Sequence, residues 1–393
     1  MTEKADIVIL GAGASGLSLA MRLAQSTTFE VLLLEARSDP SLERTFSFFE
    51  VEAHPFHAAL SHRYHRIRVR SAASDVVSVL HRHPYVVLPG EAFVDTCLRQ
   101  IETSPRVRIR WNCRVQSVTE CRDQVLVDTT HGTIAARLVV DARGTYRNFR
   151  SFQKAQERPE VCWLQHFLGL RVRTENPIFD PKEVILMDFA PPQPEGVRFI
   201  YVLPEAPDRA LVEDTFFSST PGQSSEYEAG IAQWLTDRGA GRFDILGRER
   251  GCIPMTTIPQ PPHLRGRILP FGLRGGAAKP STGYAFLFIQ RQAEALTRAL
   301  LRHGLDHPHV LSPPHPPLFR ILDRIFLSYI AHHPKSAPSA FTALFERVSG
   351  DRLARFLSES ASPRDVLSVL SALPPLPLLR EAYRSRHLWM RLD

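Results

Sequence analysis

Asp6-Ile7-Val8-Ile9-Leu10-Gly11-Ala12-Gly13-Ala14-Ser15-Gly16 runs from a short apolar block straight into three glycines at GxGxxG spacing. The block is continuous rather than alternating, the pattern of a parallel strand buried on both faces. Leu17 to Ala24 continues at helical period, and Glu30-Val31-Leu32-Leu33-Leu34 reads as a second buried strand ending at Glu35. Each part has a physical task. Gly11 permits the tight turn, Gly13 lets backbone approach a pyrophosphate, and Gly16 lets the helix pack closely on the strand. The pyrophosphate meets the positive N-terminus of the helix, and Glu35 accepts hydrogen bonds from a ribose diol. A lone GxGxxG is weak. Between two strands, with a terminal acid in place, it specifies a dinucleotide site.

Later segments select the dinucleotide. Pro89 to Val118 fits a helix and strand, with Phe93, Val94, Cys97, Leu98 and Ile101 on one helical face. Val125-Leu126-Val127 and Gly132 to Ala136 read as a hairpin feeding a separate strand, Leu138-Val139-Val140-Asp141, closed by Ala142-Arg143-Gly144. A strand ending in Asp-x-x-Gly is usual in FAD proteins of the phenol-hydroxylase-like type, where Gly144 would let the chain pass close to the cofactor. Pro270 to Tyr284 is a glycine-rich loop opening a helix from Ala285 to Leu301. Its Gly272, Gly276, Thr282 and Gly283 are expected beside the flavin or its phosphates. Redox flavoenzymes usually carry Gly-Asp in this loop; here Leu273 and Arg274 follow Gly272.

The expected fold is α/β: a Rossmann-like FAD-binding domain, an interleaved antiparallel-sheet substrate domain and a helical C-terminal region. Residues 1–44, 85–155 and 250–302 are assigned to the first, 45–84 and 156–249 to the second, and 303–393 to the third. A chain of 393 residues suits such interleaved lobes. The five cysteines show no CxxC pair or metal spacing and read as reduced thiols of a cytosolic protein. Only a few polar residues precede the first strand, so no secretory leader is expected. The net charge of +7 is spread along the chain without a nucleic-acid motif. That leaves a solvated surface or loose attachment to anionic lipid, and no nucleic-acid partner. His54/His57 and His62/His65 lack a second pair at fixed offset, so no metal is expected.

The middle of the chain alternates like antiparallel strands at Val161 to Arg173, Val184 to Phe189, Arg198 to Leu203 and Arg209 to Phe217. Within the last, Leu211, Glu213 and Thr215 share one face, while Val212, Asp214 and Phe216 share the other. Glu213 and Asp214 therefore cannot both enter one pocket. A carboxyl group facing an apolar cavity keeps its proton near neutrality and is a candidate general acid; one paired with arginine is the structural alternative. Phe46, Phe48 and Phe49 are candidate pocket liners. Leu318, Ile321, Leu322, Ile325, Phe326 and Tyr329 mark an amphipathic helix. Leu373-Pro374-Pro375-Leu376-Pro377-Leu378-Leu379 is expected to break helix and cross the surface.

Taken in order, these segments resemble the bacterial lycopene β-cyclases over nearly the whole chain. The matching motifs include the fingerprint ending at Glu35, Thr45-Phe46-Ser47-Phe48, Asp141-x-x-Gly144 and Trp163-Leu164-Gln165-His166-Phe167. Met187-Asp188, Phe199 to Pro204, Val212-Glu213-Asp214-Thr215, Gly251 to Met255 and the Gly272 to Tyr284 loop follow. Asp351 to Phe356 and Pro374 to Pro377 complete the series. The resemblance implies a redox-neutral cyclisation of a hydrophobic carotenoid, with FAD held reduced by NAD(P)H. It implies Glu213 as catalytic acid, Asp214 as a second functional position, and a cytoplasmic protein in peripheral contact with the inner membrane face. The missing Gly-Asp is shared with that family. Rival readings are a monooxygenase or prenyl reductase on the same fold, a cyclase for another isoprenoid, or a non-catalytic flavin-binding protein.

Overall fold

The computed structural model describes residues 2–26, 28–144, 161–193, 195–257, 266–305 and 314–386. The expected domain border at 155/156 lies outside them. The opening unit forms as read: β1 (Glu3–Leu10), α1 (Ala14–Ser26) and β2 (Val31–Leu34), with the two strands parallel. Next come β3 (Thr45–Phe49), β4 (His62–Tyr64), β5 (Arg66–Arg70), β6 (Asp75–Val79) and β7 (Tyr85–Pro89). α2 (Gly90–Ile101), β8 (Val107–Arg110), β9 (Val115–Glu120), β10 (Val125–Thr129) and β11 (Gly132–Asp141) return the chain to the first sheet.

That sheet has the order β8-β2-β1-β11-β10-β9. β11 is one continuous strand rather than a hairpin arm followed by a separate strand. It pairs antiparallel with β10 as far as Ala136 and parallel with β1 from Ile134 to Asp141, so the β1 pairing carries the strand on past the end of β10. Leu10 stands level with Asp141 and with Leu34, and Leu34 with Arg110. Gly11, Glu35 and Ala142 thus emerge together at the carboxyl edge, where open α/β sheets bind ligands. α1, α2 and the later helix α4 (Phe286–His303) pack the apolar face, with Phe93, Cys97, Leu138 and Leu296 buried among them.

The second sheet is built from β12 (Cys162–Thr174), β13 (Glu183–Asp188), β14 (Val197–Ala206) and β15 (Arg209–Ser218). After α3 (Ser224–Asp237), β16 (Phe243–Thr256) completes it. Its order is β16-β12-β15-β14-β13-β5-β6, antiparallel except where β13 meets β5. Alternation sorts its faces. Val212, Ile200 and Leu168 turn toward Ile231, Trp234 and Leu235 of α3, and the opposite face looks toward the first sheet. β3, β7 and β4 make a third, small sheet at the junction.

β17 (Ile268–Pro270) adds to β11. The helical part follows as α4 (Phe286–His303), α5 (Pro317–His332), α6 (Ala337–Arg347), α7 (Gly350–Leu357), α8 (Pro363–Ala372) and α9 (Pro375–Arg384). The proline-rich stretch is a correction to the sequence reading. The chain leaves helix only at Leu373 and Pro374, and Pro375 starts α9. Proline is favoured in the first helical turn, where no amide hydrogen is needed and its fixed φ suits the helix.

Candidate active site

One cavity of about 1960 Å³ runs from the glycine turn, past the inner face of the second sheet, to the C-terminal helices. It is about twice the upper volume of an ordinary small-molecule pocket, enough for two large ligands. Gly11, Gly13, Glu35, Gly144, Thr282, Gly283 and Glu213 line it; Gly16, Asp141, Gly272, Gly276 and Asp214 do not.

The turn at the first sheet fits a dinucleotide. Gly11 has φ +97°, and a Cβ at Gly16 would lie 1.9 Å from the Gly11 carbonyl oxygen. A Cβ at Gly13 would meet no protein atom within 4 Å, because that residue faces the cavity at the start of α1. The Glu35 carboxylate accepts from the Ala12 amide at 2.7 Å and from the Arg37 amide at 3.0 Å. Burial opposes its ionisation, but these bonds and the Arg37 guanidinium outweigh that and hold it below the usual range. Two acceptors in the cavity wall, Gln165 Oε1 and Thr215 Oγ1, are buried without a hydrogen-bond partner, as expected of groups that meet a ligand.

Asp141 turns away from the cavity. Arg143 holds it through Nε at 2.9 Å and Nη2 at 2.8 Å, and Arg274 through Nη1 at 2.7 Å. In the loop where redox flavoenzymes carry an acid, this chain thus has Leu273 after Gly272 and, one residue on, a cation bound to Asp141. Gly272 (φ +64°) packs on Ser15, and its amide donates to Gln292 Oε1 at 2.8 Å. Gly276 (φ +77°) ends the short helical turn that follows. These two shape the loop. Lys279, in the same loop, is buried between Asp323 of α5, at 2.8 Å, and Glu359 just after α7, at 3.1 Å.

Of the aromatic liners read from sequence, only Phe46 reaches the cavity. Phe48 and Phe49 are core: Phe48 stacks on Phe286 and Phe49 meets Tyr85 edge-on. Adjacent on β3, the two rings enter opposite cores, Phe48 beside Phe56 and Phe93 and Phe49 beside Tyr64 and Tyr85.

Glu213 and Asp214 part as strand alternation requires. Asp214, fully buried, is gripped by Arg198 on the far face. Glu213, 7% exposed, enters the cavity. One rung of the sheet reads Tyr201, Glu213, Gly169, Glu249 across β14, β15, β12 and β16. Because Gly169 has no side chain, the two glutamates meet above it; a Cβ there would lie 3.0 Å from Glu213 Cγ and 3.1 Å from Glu249 Cγ. Burial pushes the Glu213 carboxyl well above the usual range, and the charge and hydrogen bond of Glu249 push it further. On the other side, Tyr201 Oη bonds Ser47 Oγ at 2.7 Å and Tyr85 Oη at 3.1 Å. Burial raises both tyrosines, so they remain hydroxyls. The arrangement can hold a proton in a dry, aromatic-walled site. Glu249 was missed by sequence reading; its only signal was a glycine inside a strand, which marks close approach.

Among the described residues, no group of three His, Cys, Asp or Glu side chains could hold a metal ion.

A glycine-turn nucleotide sheet joined through one cavity to an antiparallel sheet is the architecture of flavin-dependent monooxygenases and reductases. The flavoprotein/dehydrogenase from Cytophaga hutchinsonii shares it, with TM-score 0.62 and 13% identity over 100% of both chains. Within that class, residues 6–383 match the family described as lycopene cyclase protein, and the chain belongs to that family. It is 27% identical to the lycopene beta-cyclase of Paracoccus sp. (strain N81106 / MBIC 01143), covering 95% of each chain. It is 26% identical to that of Pantoea ananas, covering 95% of this chain and 96% of the other.

Proposed function

We propose that the enzyme is a lycopene β-cyclase, closing the ψ end groups of lycopene to β-ionone rings by acid catalysis without net redox change. The observation that carries this reading is the Glu213 carboxyl. It is buried, keeps its proton, and faces a cavity that joins the glycine turn to an apolar interior. Protonating an unactivated alkene needs a proton held in a dry site. The Glu213 O–H bond breaks as a C–H bond forms at the terminal alkene, leaving a tertiary cation. The electron pair of the next alkene forms the ring C–C bond, and the ring proton then lost replaces the one given up by Glu213, leaving a neutral product and a regenerated acid. Aromatic faces of Phe46, Tyr85 and Tyr201 stabilise positive charge nearby.

The turn at Gly11 and Gly13, the start of α1, and Glu35 would hold the pyrophosphate and ribose of FAD, with Gly144, Thr282 and Gly283 as walls. FAD, kept reduced by NAD(P)H, would supply electron density beside the cation. The far end of the cavity is lined by Leu370 and Leu379, which belong to an exposed apolar face with Leu367, Leu376 and Tyr383. Exposed Arg380, Arg384 and Arg386 accompany it, which suits an anionic bilayer surface from which an apolar substrate enters. No helix of the described residues is long and apolar enough to cross a membrane.

The test is conversion of lycopene by flavin-loaded protein. Yellow-orange cyclic carotenes should form with no stoichiometric consumption of NAD(P)H. Unchanged lycopene with folded, flavin-loaded protein overturns the reading, and consumption matching turnover points to the redox alternative.

A further inference from the structure

We infer that Glu249 is a positioning residue for Glu213: the two carboxyl groups meet over Gly169 and share one proton, which Glu249 keeps on Glu213. This rests on Glu213 being the acid of the proposed cyclisation.

The partition follows from what surrounds each carboxyl. Glu249 accepts from Thr45 Oγ1 at 2.6 Å and from the Thr45 amide, and Arg171 lies near enough to favour its charge. Arg171 is itself ion-paired with Glu205. Glu213 faces Tyr201 from β14 and Tyr85 from β7, both uncharged, and among the described residues Glu249 is the charged group that acts on it. Burial raises both carboxyls, and the Thr45 bonds and the bond from Glu213 pull Glu249 only part of the way back, leaving it the less raised of the two. The negative charge therefore belongs on Glu249 and the proton on Glu213. Two like charges this close cannot both ionise, and the pair titrates as a unit. Glu249 does not line the cavity, so it acts through Glu213 and not on the substrate. A purely structural role fits poorly, since burying a carboxyl pair without a close cation costs stability.

The sign of the pH effect separates positioning from packing. Cyclisation needs Glu213 protonated, so activity falls as pH rises through the last proton of the pair. Glu249→Gln removes the neighbouring charge at constant size. It should move this alkaline limb to lower pH by about one unit or more, with FAD content unchanged. Thr45→Val withdraws support from the Glu249 anion and should move the limb the other way. It also serves if Glu249→Gln fails to fold. Limbs unmoved in the folded variants, or moved in the same direction, overturn the proposal. Glu213→Gln is the control: cyclisation by that variant shows that the acid itself is misplaced, whereas wild-type protein inactive on lycopene overturns the function.

Discussion

Arg198 holds Asp214 by both oxygens, Nε to Oδ1 at 3.0 Å and Nη2 to Oδ2 at 2.6 Å, on the face of β15 opposite Glu213. α3 presses on the pair: a Cβ at Gly230 would fall 2.1 Å from Asp214 Oδ2. Adjacent carboxylates of one strand thus do separate work, one toward the cavity and one fixing the strand from behind.

Asp214→Asn should therefore act through stability. It leaves the Arg198 guanidinium largely buried and unpaired, which costs about 3 kcal/mol or more. Chemical denaturation should register the loss. The alkaline limb of any remaining activity should stay where the wild type has it; a shifted limb would assign Asp214 a part in proton transfer.

Gly13 and Gly16 make a matched pair of variants. An alanine at Gly13 extends into open cavity, so Gly13→Ala should unfold like the wild-type apoprotein but lose flavin. An alanine at Gly16 strikes the Gly11 backbone at 1.9 Å, so Gly16→Ala should lose both flavin and stability. Flavin absorbance per mole of protein, with thermal melting, reads both. Full flavin content in Gly13→Ala would remove the pyrophosphate from this turn.

Glu213 also gives the fold a pH dependence. Its folded pKa is raised, so its contribution to stability is complete below the ordinary carboxylate range and is lost as pH rises through the raised value. Thermal midpoints of the ligand-free protein should fall as pH rises above the ordinary carboxylate range, and less so for Glu213→Gln. Equal slopes would mean that Glu213 ionises without penalty.

The exposed leucines of α8 and α9 predict lipid binding. Leu376→Glu with Leu379→Glu should weaken sedimentation with vesicles containing anionic lipid and leave flavin bound. Both side chains are about two-thirds exposed, 68% and 65%, so the fold should tolerate the change. Undiminished sedimentation would place membrane contact elsewhere.

What was legible in the sequence was what periodicity carries. The strand–glycine–helix opening, the strands of the second sheet and the opposed directions of Glu213 and Asp214 all follow from local spacing. What was not legible depends on partners far along the chain. Glu249 lies between Arg248 and Arg250 and reads as part of a solvated charged run; only the register of β16 on β12 brings it over Gly169. Phe48 and Phe49 read as cavity liners, and only residues distant in sequence, Phe286 for one and Tyr85 for the other, show each ring to be core. Pro375 reads as a breaker because proline is hostile inside a helix, and its place at the first turn is set by where α8 stops.

Lys279 gives the molecule an order of assembly. The loop it belongs to forms a wall of the proposed flavin site, yet its counter-charges lie 44 and 80 residues later in the chain. During synthesis the nucleotide-binding strands emerge long before those carboxylates, and until they arrive a lysine destined for the interior has no partner. The wall is therefore finished from the carboxyl end. A polypeptide stopped before Asp323 keeps the whole glycine fingerprint and still leaves the loop from Pro270 to Tyr284 without either counter-charge.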